Sequence, residues 1–225
     1  MPTSPSVYLQ SRLEGAHLVE TYLPNTQDVR LWLLNEDYPQ SQLSAEQAAA
    51  LMDDPPYWAF CWASGWVVAQ WVFENPSLVE NRTVIDFGCG SGVAGIAALK
   101  AGARHVVFCD QDHVALAITK QNIVLNGLSA DSYDTRISIS NQGDKCIKNN
   151  ELVLVSDVFY DRENLPLLED FLARFESVIV ADSRLKGQPL QGMSIVESRE
   201  ASTVPDLGEA EAFKYVTIYE SVPKA

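Results

Sequence analysis

The sequence predicts an α/β fold: a doubly wound, mostly parallel sheet covered by helices, with an antiparallel hairpin at the C-terminal end. Three observations predict it. From residue 82 onward, short apolar runs (TVIDF, HVVFCD, ELVLV, SVIVA) alternate with helical segments, the pattern of strands joined by crossover helices. The first run breaks into a glycine-rich turn, FGCGSG, ahead of a segment of small helix formers. The tail holds two apolar stretches, 196–204 and 213–220, with no helical pattern between them, and these read as the hairpin.

Ahead of the alternating region, VRLWLL (29–34) reads as a strand. Ser44 and Gln47 make a capping-box pattern for a short helix that ends before Pro55-Pro56,. Residues 65–74 place Trp66, Ala69 and Phe73 on one helical face, and Asn75-Pro76 stops them,. Residues 1–76 are therefore expected to form an N-terminal extension packing on a core of 77–225. Within that core, strands at 83–88 and 105–110 each lead into a helix, at 93–100 and 113–126. In the second helix Val114, Ile118 and Leu125 face one way, and Lys120 and Asn122 another. Strands at 136–140, 151–155 and 177–181 follow, with a helix at 163–175 before the last. Ligands of such sheets sit at the carboxyl ends of the strands, so residues just beyond those ends are the candidates for chemistry.

At 225 residues the chain can bury one sizeable core but not two full-sized ones,. Its 30 acidic and 16 basic residues leave a net charge of −14, which repels phosphate backbones and sets nucleic acid aside as a partner. The basic residues are scattered, with Arg184 and Lys186 the nearest approach to a cluster. No apolar run approaches the roughly 20 residues that span a bilayer. The opening residues lack an apolar segment and include Glu14, so they read as neither a secretory signal nor a transit peptide,. Cys61, Cys89, Cys109 and Cys146 show no CxxC spacing, and reduced thiols in the cytoplasm, with no metal site, are expected.

The glycines at 88, 90 and 92 stand where a strand turns into a helix, and they let the backbone turn sharply and approach a ligand,. Read from Gly90, the residues spell G-x-G-x-x-G through Gly95, and Asp110 lies twenty residues on, as in the dinucleotide fingerprint,. Two features point to a different nucleoside ligand. Asp86 stands at the end of the strand, where the dinucleotide fold keeps an apolar residue, and the register through Gly88 gives G-x-G-x-G. Asp110, closing the next strand, is placed to accept both hydroxyls of a ribose. NAD and S-adenosylmethionine both carry that ribose, so Asp110 does not separate them. Its other reading is the cap of the following helix, a role Asp112 fills equally well.

Two further motifs bear on the ligand: PYWAFCWASG at 56–65 and SDVFYD at 156–161. With the glycine loop, they resemble the seven-strand, Rossmann-like methyltransferases that modify lysine side chains. More specifically, they resemble the lysine methyltransferases of the electron-transfer flavoprotein β-subunit, in which P-Y-W-A-x-x-W-x-x-G precedes the cofactor loop and the fourth strand ends in D-x-x-Y or D-x-x-F. The resemblance covers about residues 50–182. It implies S-adenosylmethionine as methyl donor, held by Trp58, Trp62, Gly65, Asp86, Gly88, Gly90, Gly92, Asp110, Asn141 and Asp157. Asp110 would take the ribose and Asn141 would lie near the adenine. Asp157 and Tyr160 would be the catalytic pair, Asp157 orienting an amine while Tyr160 and Trp58 desolvate it, with His113 a weaker candidate base. The implied partner is a protein carrying an exposed lysine. Trp58 and Trp62 read equally as core aromatics. The tail departs from the family, because Gly187 and Pro189 interrupt the region where those enzymes carry a helix,. A small-molecule amine methyltransferase, an NAD-binding oxidoreductase and a cofactor-binding regulator remain as alternatives.

Overall fold

The computed structural model describes residues 4–38, 54–137, 151–159, 162–206, 208 and 210–223. The capping-box pair Ser44 and Gln47 with the helix it opens, Asn141, Cys146 and Tyr160 fall outside these residues. The chain opens with helix α1 (Pro5–Arg12), which has proline in its first turn, where a missing N–H costs nothing. Strands β1 (Leu18–Tyr22) and β2 (Arg30–Leu34) then pair antiparallel. Neither α1 nor β1 is evident in the apolar pattern, because both expose much of their surface. Helix α2 (Ala63–Glu74) begins two residues earlier than its pattern suggests.

The main sheet contains β3 (Thr83–Phe87), β4 (His105–Asp110), β5 (Tyr133–Ile137), β6 (Leu152–Ser156), β7 (Ser177–Asp182), β8 (Met193–Glu200) and β9 (Tyr215–Ser221). Their order is β5-β4-β3-β6-β7-β9-β8. The first five are mutually parallel, and β9 runs antiparallel between β7 and β8. Strand β5 begins at Tyr133 rather than 136, since Tyr133 pairs with Val106 and packs on Phe108. The hairpin strands also start elsewhere than their apolar pattern indicates, β8 three residues earlier and β9 two residues later. No helix forms between β7 and β8, where a turn carries Gly187 at φ 67°.

Alternation along the strands sends their side chains to two faces. Val84, Val106, Phe108, Leu152, Leu154 and Ile179 share one cluster with α2, with α3 (Val93–Lys100) and with part of α4 (His113–Leu125). Ile85, Val107, Val153, Val155, Val178 and Val180 face the other way, toward Leu168, Phe171 and Phe175 at α5 (Leu165–Arg174). Leu23, Val29, Leu31 and Leu33 from the N-terminal hairpin belong to the first cluster, as do Val67, Val68 and Val72 of α2. The segment before residue 77 thus supplies a large share of the main core. This connectivity places β3 and β6 side by side at the point where the winding reverses, and a crevice opens there.

Two buried or half-buried asparagines fasten the hairpin to α4. Asn122 accepts from the Trp32 N–H at 2.7 Å and donates to the Ser91 carbonyl at 2.8 Å. Asn126 accepts from the Arg30 N–H at 3.0 Å and donates back to its carbonyl. Amide side chains here take the place of a neighbouring strand on the edge of β2. The expected result of Asn122→Ala is a loss of about 2–3 kcal/mol in urea unfolding, because two backbone groups lose a partner in an apolar setting. Asn122→Leu should not restore it.

Candidate active site

A cavity of about 610 Å³ lies at the carboxyl ends of the parallel strands. Phe87, Gly88 and Gly90 line it after β3, and Asp110, Gln111 and Asp112 after β4. Ser156, Asp157 and Val158 line it after β6, and Ser183 with Arg184 after β7. Tyr57, Trp58 and Trp62 close one side, and Thr203, from the loop between β8 and β9, reaches it from the far end of the sequence.

At the β3–β4 end, backbone hydrogen bonds shape the glycine loop. Gly88 and Cys89 donate from their N–H groups to the Cys109 carbonyl at 2.9 and 3.0 Å. Gly88 has φ 70°, and a β-carbon there would come within 2.8 Å of the Val158 side chain, so glycine is required at this turn. Asp110 accepts from the N–H of Gly90 at 2.9 Å and of Asp112 at 3.0 Å. Burial pushes its carboxyl above the ordinary carboxylate range, with Asp112 adding to the rise and the three backbone donors Asp112, Gly90 and Gln111 opposing it. The cap of α4 is Asp112, whose carboxylate accepts from the Val114 N–H at 2.7 Å. Asp110 is thereby left at the cavity wall.

Asp86 occupies a different place. It is 2% exposed and does not line the cavity. Its carboxylate accepts from the Gly95 N–H at 2.9 Å, inside the first turns of α3. Burial raises its pKa to about 7; the Gly95 N–H lowers it and Asp110 raises it further. Gly92, in the left-handed conformation ahead of α3, also sits behind the lining. Gly65 lies within α2, where a β-carbon would meet Val93 of α3 at 2.8 Å. It lets the two helices approach, and it does not reach the cavity.

The β6–β7 end is built around Asp157, which holds φ 53°, a strained value for a non-glycine residue. The Ser64 hydroxyl donates to its Oδ1 at 2.6 Å across 93 residues of sequence. Burial lifts the Asp157 carboxyl to about 7, with the Ser64 hydroxyl pulling it down and Asp182 pushing it up. The backbone N–H groups of Ser64 and Ser183 also favour its charged form. Asp182 itself accepts from the N–H groups of Arg184 and Leu185 at 2.7 and 2.9 Å. Nearby, the Cys61 thiol is pushed far up by burial and by Asp157, so it stays protonated. The Ser156 hydroxyl on the same wall is buried with no hydrogen-bond partner among the described residues.

The two tryptophans differ. Trp58 is 1% exposed and packs with Leu9, Leu13 and Leu34 in a cluster beneath α1, one edge bordering the cavity. Trp62 donates its indole N–H to the Tyr57 carbonyl at 2.8 Å and contacts the rings of Tyr57 and Phe60. Tyr57, Phe60 and Trp62 pack ring to ring, and Tyr57 and Trp62 of this cluster line the cavity.

The sequence model of the ribosomal protein L11 methyltransferase family (PrmA) matches residues 72–159, less than half of the chain. The chain is 32% identical to the electron transfer flavoprotein beta subunit lysine methyltransferase of Xenopus laevis over 70% of this chain and 61% of that one. It is 39% identical to that of Danio rerio over 47% of this chain and 40% of that one. The chain thus spans roughly two fifths to three fifths of the lengths of these two relatives. A ribosomal protein L11 methylase from Lactobacillus delbrueckii subsp. bulgaricus superposes with a TM-score of 0.50 at 20% identity, over 72% of this chain and 79% of that one. The chain has the class I methyltransferase fold. The antiparallel β9 between β7 and β8 distinguishes this fold from the dinucleotide order that G-x-G-x-x-G suggests, in which six strands run 3-2-1-4-5-6,.

On this class I framework the structure brings Gly88, Gly90, Asp110, Asp157, Trp58 and Trp62 to one cavity and leaves Asp86, Gly92 and Gly65 behind its wall. His113 is absent from the lining. Sequence reasoning missed Ser64, Ser156 and Ser183. Ser183 follows a strand's carboxyl end, the signal that marked Asp157, and Ser64 lies within the motif at 56–65. Because the native Asp86 carboxyl binds its proton more tightly than the unfolded one, its own contribution to stability is full below about pH 4 and is lost as pH rises through about 7,. Asp86→Asn should flatten urea-unfolding stability across pH 4.5–6.5 by up to about 1.4 kcal/mol per pH unit. An unchanged slope would contradict the burial of a titrating carboxyl at this site.

Proposed function

We propose that the chain is an S-adenosylmethionine-dependent protein-lysine methyltransferase acting in the cytoplasm. The observation that carries this reading is a single cavity with a half-buried carboxylate at each end, Asp110 beyond β4 and Asp157 beyond β6, separated by a glycine loop. S-adenosylmethionine fits this arrangement. Its ribose hydroxyls match the carboxylate of Asp110, and Gly88 and Gly90 leave the loop backbone open to close approach,. The cavity volume lies within the usual range of small-molecule sites,. When bound, the donor supplies a methyl group already activated on a sulfonium, so the protein's task is alignment and handling of the acceptor proton.

For the acceptor, an ordinary lysine ammonium with a pKa of about 10.4 must lose a proton before it can attack. An ordinary aspartate, at about 3.9, lies more than 6 units below it. Asp157, at about 7, narrows that gap to about 3 units while its charged form still orients the ammonium,. The aromatic wall of Tyr57 and Trp62 lowers the ammonium's own pKa by desolvation and accommodates a methylated cation,. In this reading Tyr160 and Asn141 keep the roles implied by the family resemblance, Tyr160 beside the acceptor and Asn141 near the adenine. The relatives named for lysine methylation of a flavoprotein subunit support a protein acceptor.

Asp110→Ala is expected to weaken S-adenosylmethionine binding about a hundredfold in calorimetric titration, through the loss of two charge-assisted hydrogen bonds to the ribose. Binding of NAD with no response to S-adenosylmethionine would overturn the donor assignment. Asp157→Asn should keep donor affinity within a few fold while lowering transfer of labelled methyl to lysate protein by roughly a hundredfold. Mass spectrometry should find the label on lysine. Label confined to a small amine would replace the protein acceptor with a small-molecule one.

A further inference from the structure

Ser64 is 0% exposed in the first turn of α2, and its hydroxyl and backbone N–H both meet the carboxylate of Asp157. A hydroxyl buried this deeply costs stability unless it is hydrogen-bonded, and here its partner is a charged group on the cavity wall. We propose that Ser64 is a positioning residue, which holds Asp157 in place and in its charged form at the acceptor end of the cavity. This rests on the reading of Asp157 as the group that meets the acceptor amine.

Geometry supplies the reasons. Asp157 sits in a left-handed conformation just beyond β6, a backbone state that persists only where tertiary contacts such as these hold it. The N-terminal end of α2 contributes the Ser64 N–H and hydroxyl, and the segment after β7 contributes the Ser183 N–H. These donors oppose burial and the neighbouring Asp182, both of which favour the neutral carboxyl. Cys61, the other titratable group against Asp157, is held protonated and adds no charge. Arg184 lines the same cavity from the β7 side. Removing the Ser64 hydroxyl takes away a donor to the charged form, so Asp157 must bind its proton more tightly. At neutral pH a larger fraction is then neutral and unable to take the acceptor's proton.

The test uses the full chain labelled with ¹³C at aspartate carboxyls, with the Asp157 resonance identified by its loss in Asp157→Asn. Ser64→Ala should raise the Asp157 titration midpoint by about one to two pH units, a ten- to hundredfold change in proton affinity. Ser64→Thr, which keeps the hydroxyl, should stay near wild type, and Ser64→Cys, a weaker donor of similar size, should fall between. Affinity for S-adenosylhomocysteine, measured by calorimetry, should remain within a few fold and shows that each variant is folded. Methyl transfer from labelled S-adenosylmethionine to lysate protein should drop about tenfold at pH 7 in Ser64→Ala and recover toward wild type at pH 9. A midpoint unmoved in folded Ser64→Ala or Ser64→Cys, or a loss of transfer equal at both pH values, overturns the proposal. Wild-type protein that puts no label on lysine defeats the underlying reading instead, and the titration separates that result from a failure of the Ser64 contact.

Discussion

The hydrogen bond from the Gly95 N–H to the buried carboxylate of Asp86 ties the end of β3 to the first turn of α3. With both ends of the connection held, residues 88–92 have to turn within a very short span, and the turn is closed by the N–H groups of Gly88 and Cys89 on the Cys109 carbonyl. Gly90 is then left with its N–H on Asp110 and its carbonyl accepting from the Thr119 hydroxyl at 3.0 Å. Ser91 gives its carbonyl to Asn122, which also holds β2. The loop that lines the cavity is therefore suspended from a carboxylate behind it, a helix beside it and, through Asn122, the N-terminal hairpin. A charge at Asp86 is costly in this setting, and its raised pKa expresses that cost,.

Three aspartates near strand ends, Asp86, Asp110 and Asp157, share the same physics and differ in consequence. Each is desolvated, and each is compensated by backbone N–H groups, and at Asp157 first of all by the Ser64 hydroxyl, rather than by a basic side chain among the causes of its shift. Donors at the starts of helices and turns stabilise negative charge without bringing a positive group that would neutralise it. Asp110 and Asp157 face the cavity and stay available to a ligand. Asp86 faces inward and is consumed by the fold. The net charge of −14 belongs to the surface as a whole, whereas the site's chemistry depends on these few groups whose solvation has been replaced.

The termini contribute to the site from outside the alternating core. Tyr8 and Arg12 of α1 both donate to the carboxylate of Asp54, which borders the cavity. At the other end of the chain, Val204 forms a pair of 2.8 Å backbone hydrogen bonds with Cys61, and that bridge brings Thr203 to the cavity. Arg199 of β8 reaches Glu74 at the end of α2 at 2.6 Å. The C-terminal hairpin is thus fastened to the same helix that presents Ser64 to Asp157.

Strands β3, β4, β6 and β7 were legible in the sequence because they are buried on both faces and read as continuous apolar runs, whereas the half-exposed edge strand β5 begins three residues before its expected start. The glycine loop was legible because its backbone demands glycine. α1 and β1 were not, since a half-exposed helix and an edge strand leave little apolar periodicity, although Ser4-Pro5 carried a usable start signal. Among the site residues, the sequence alone determined which carboxylates stand near strand ends, and with them Asp86, Asp110 and Asp157. It could not determine which way each one faces. Asp86 lies two residues nearer the strand than the turn, and only the packing of α3 decides that its carboxylate meets Gly95 rather than the cavity. Gly65 sits in a ligand-like motif, and only the approach of α2 to α3 shows that its missing side chain serves helix packing. The contact between Ser64 and Asp157 joins residues 93 positions apart. Such a contact depends on where a helix end and a strand end meet in space, which local sequence does not encode.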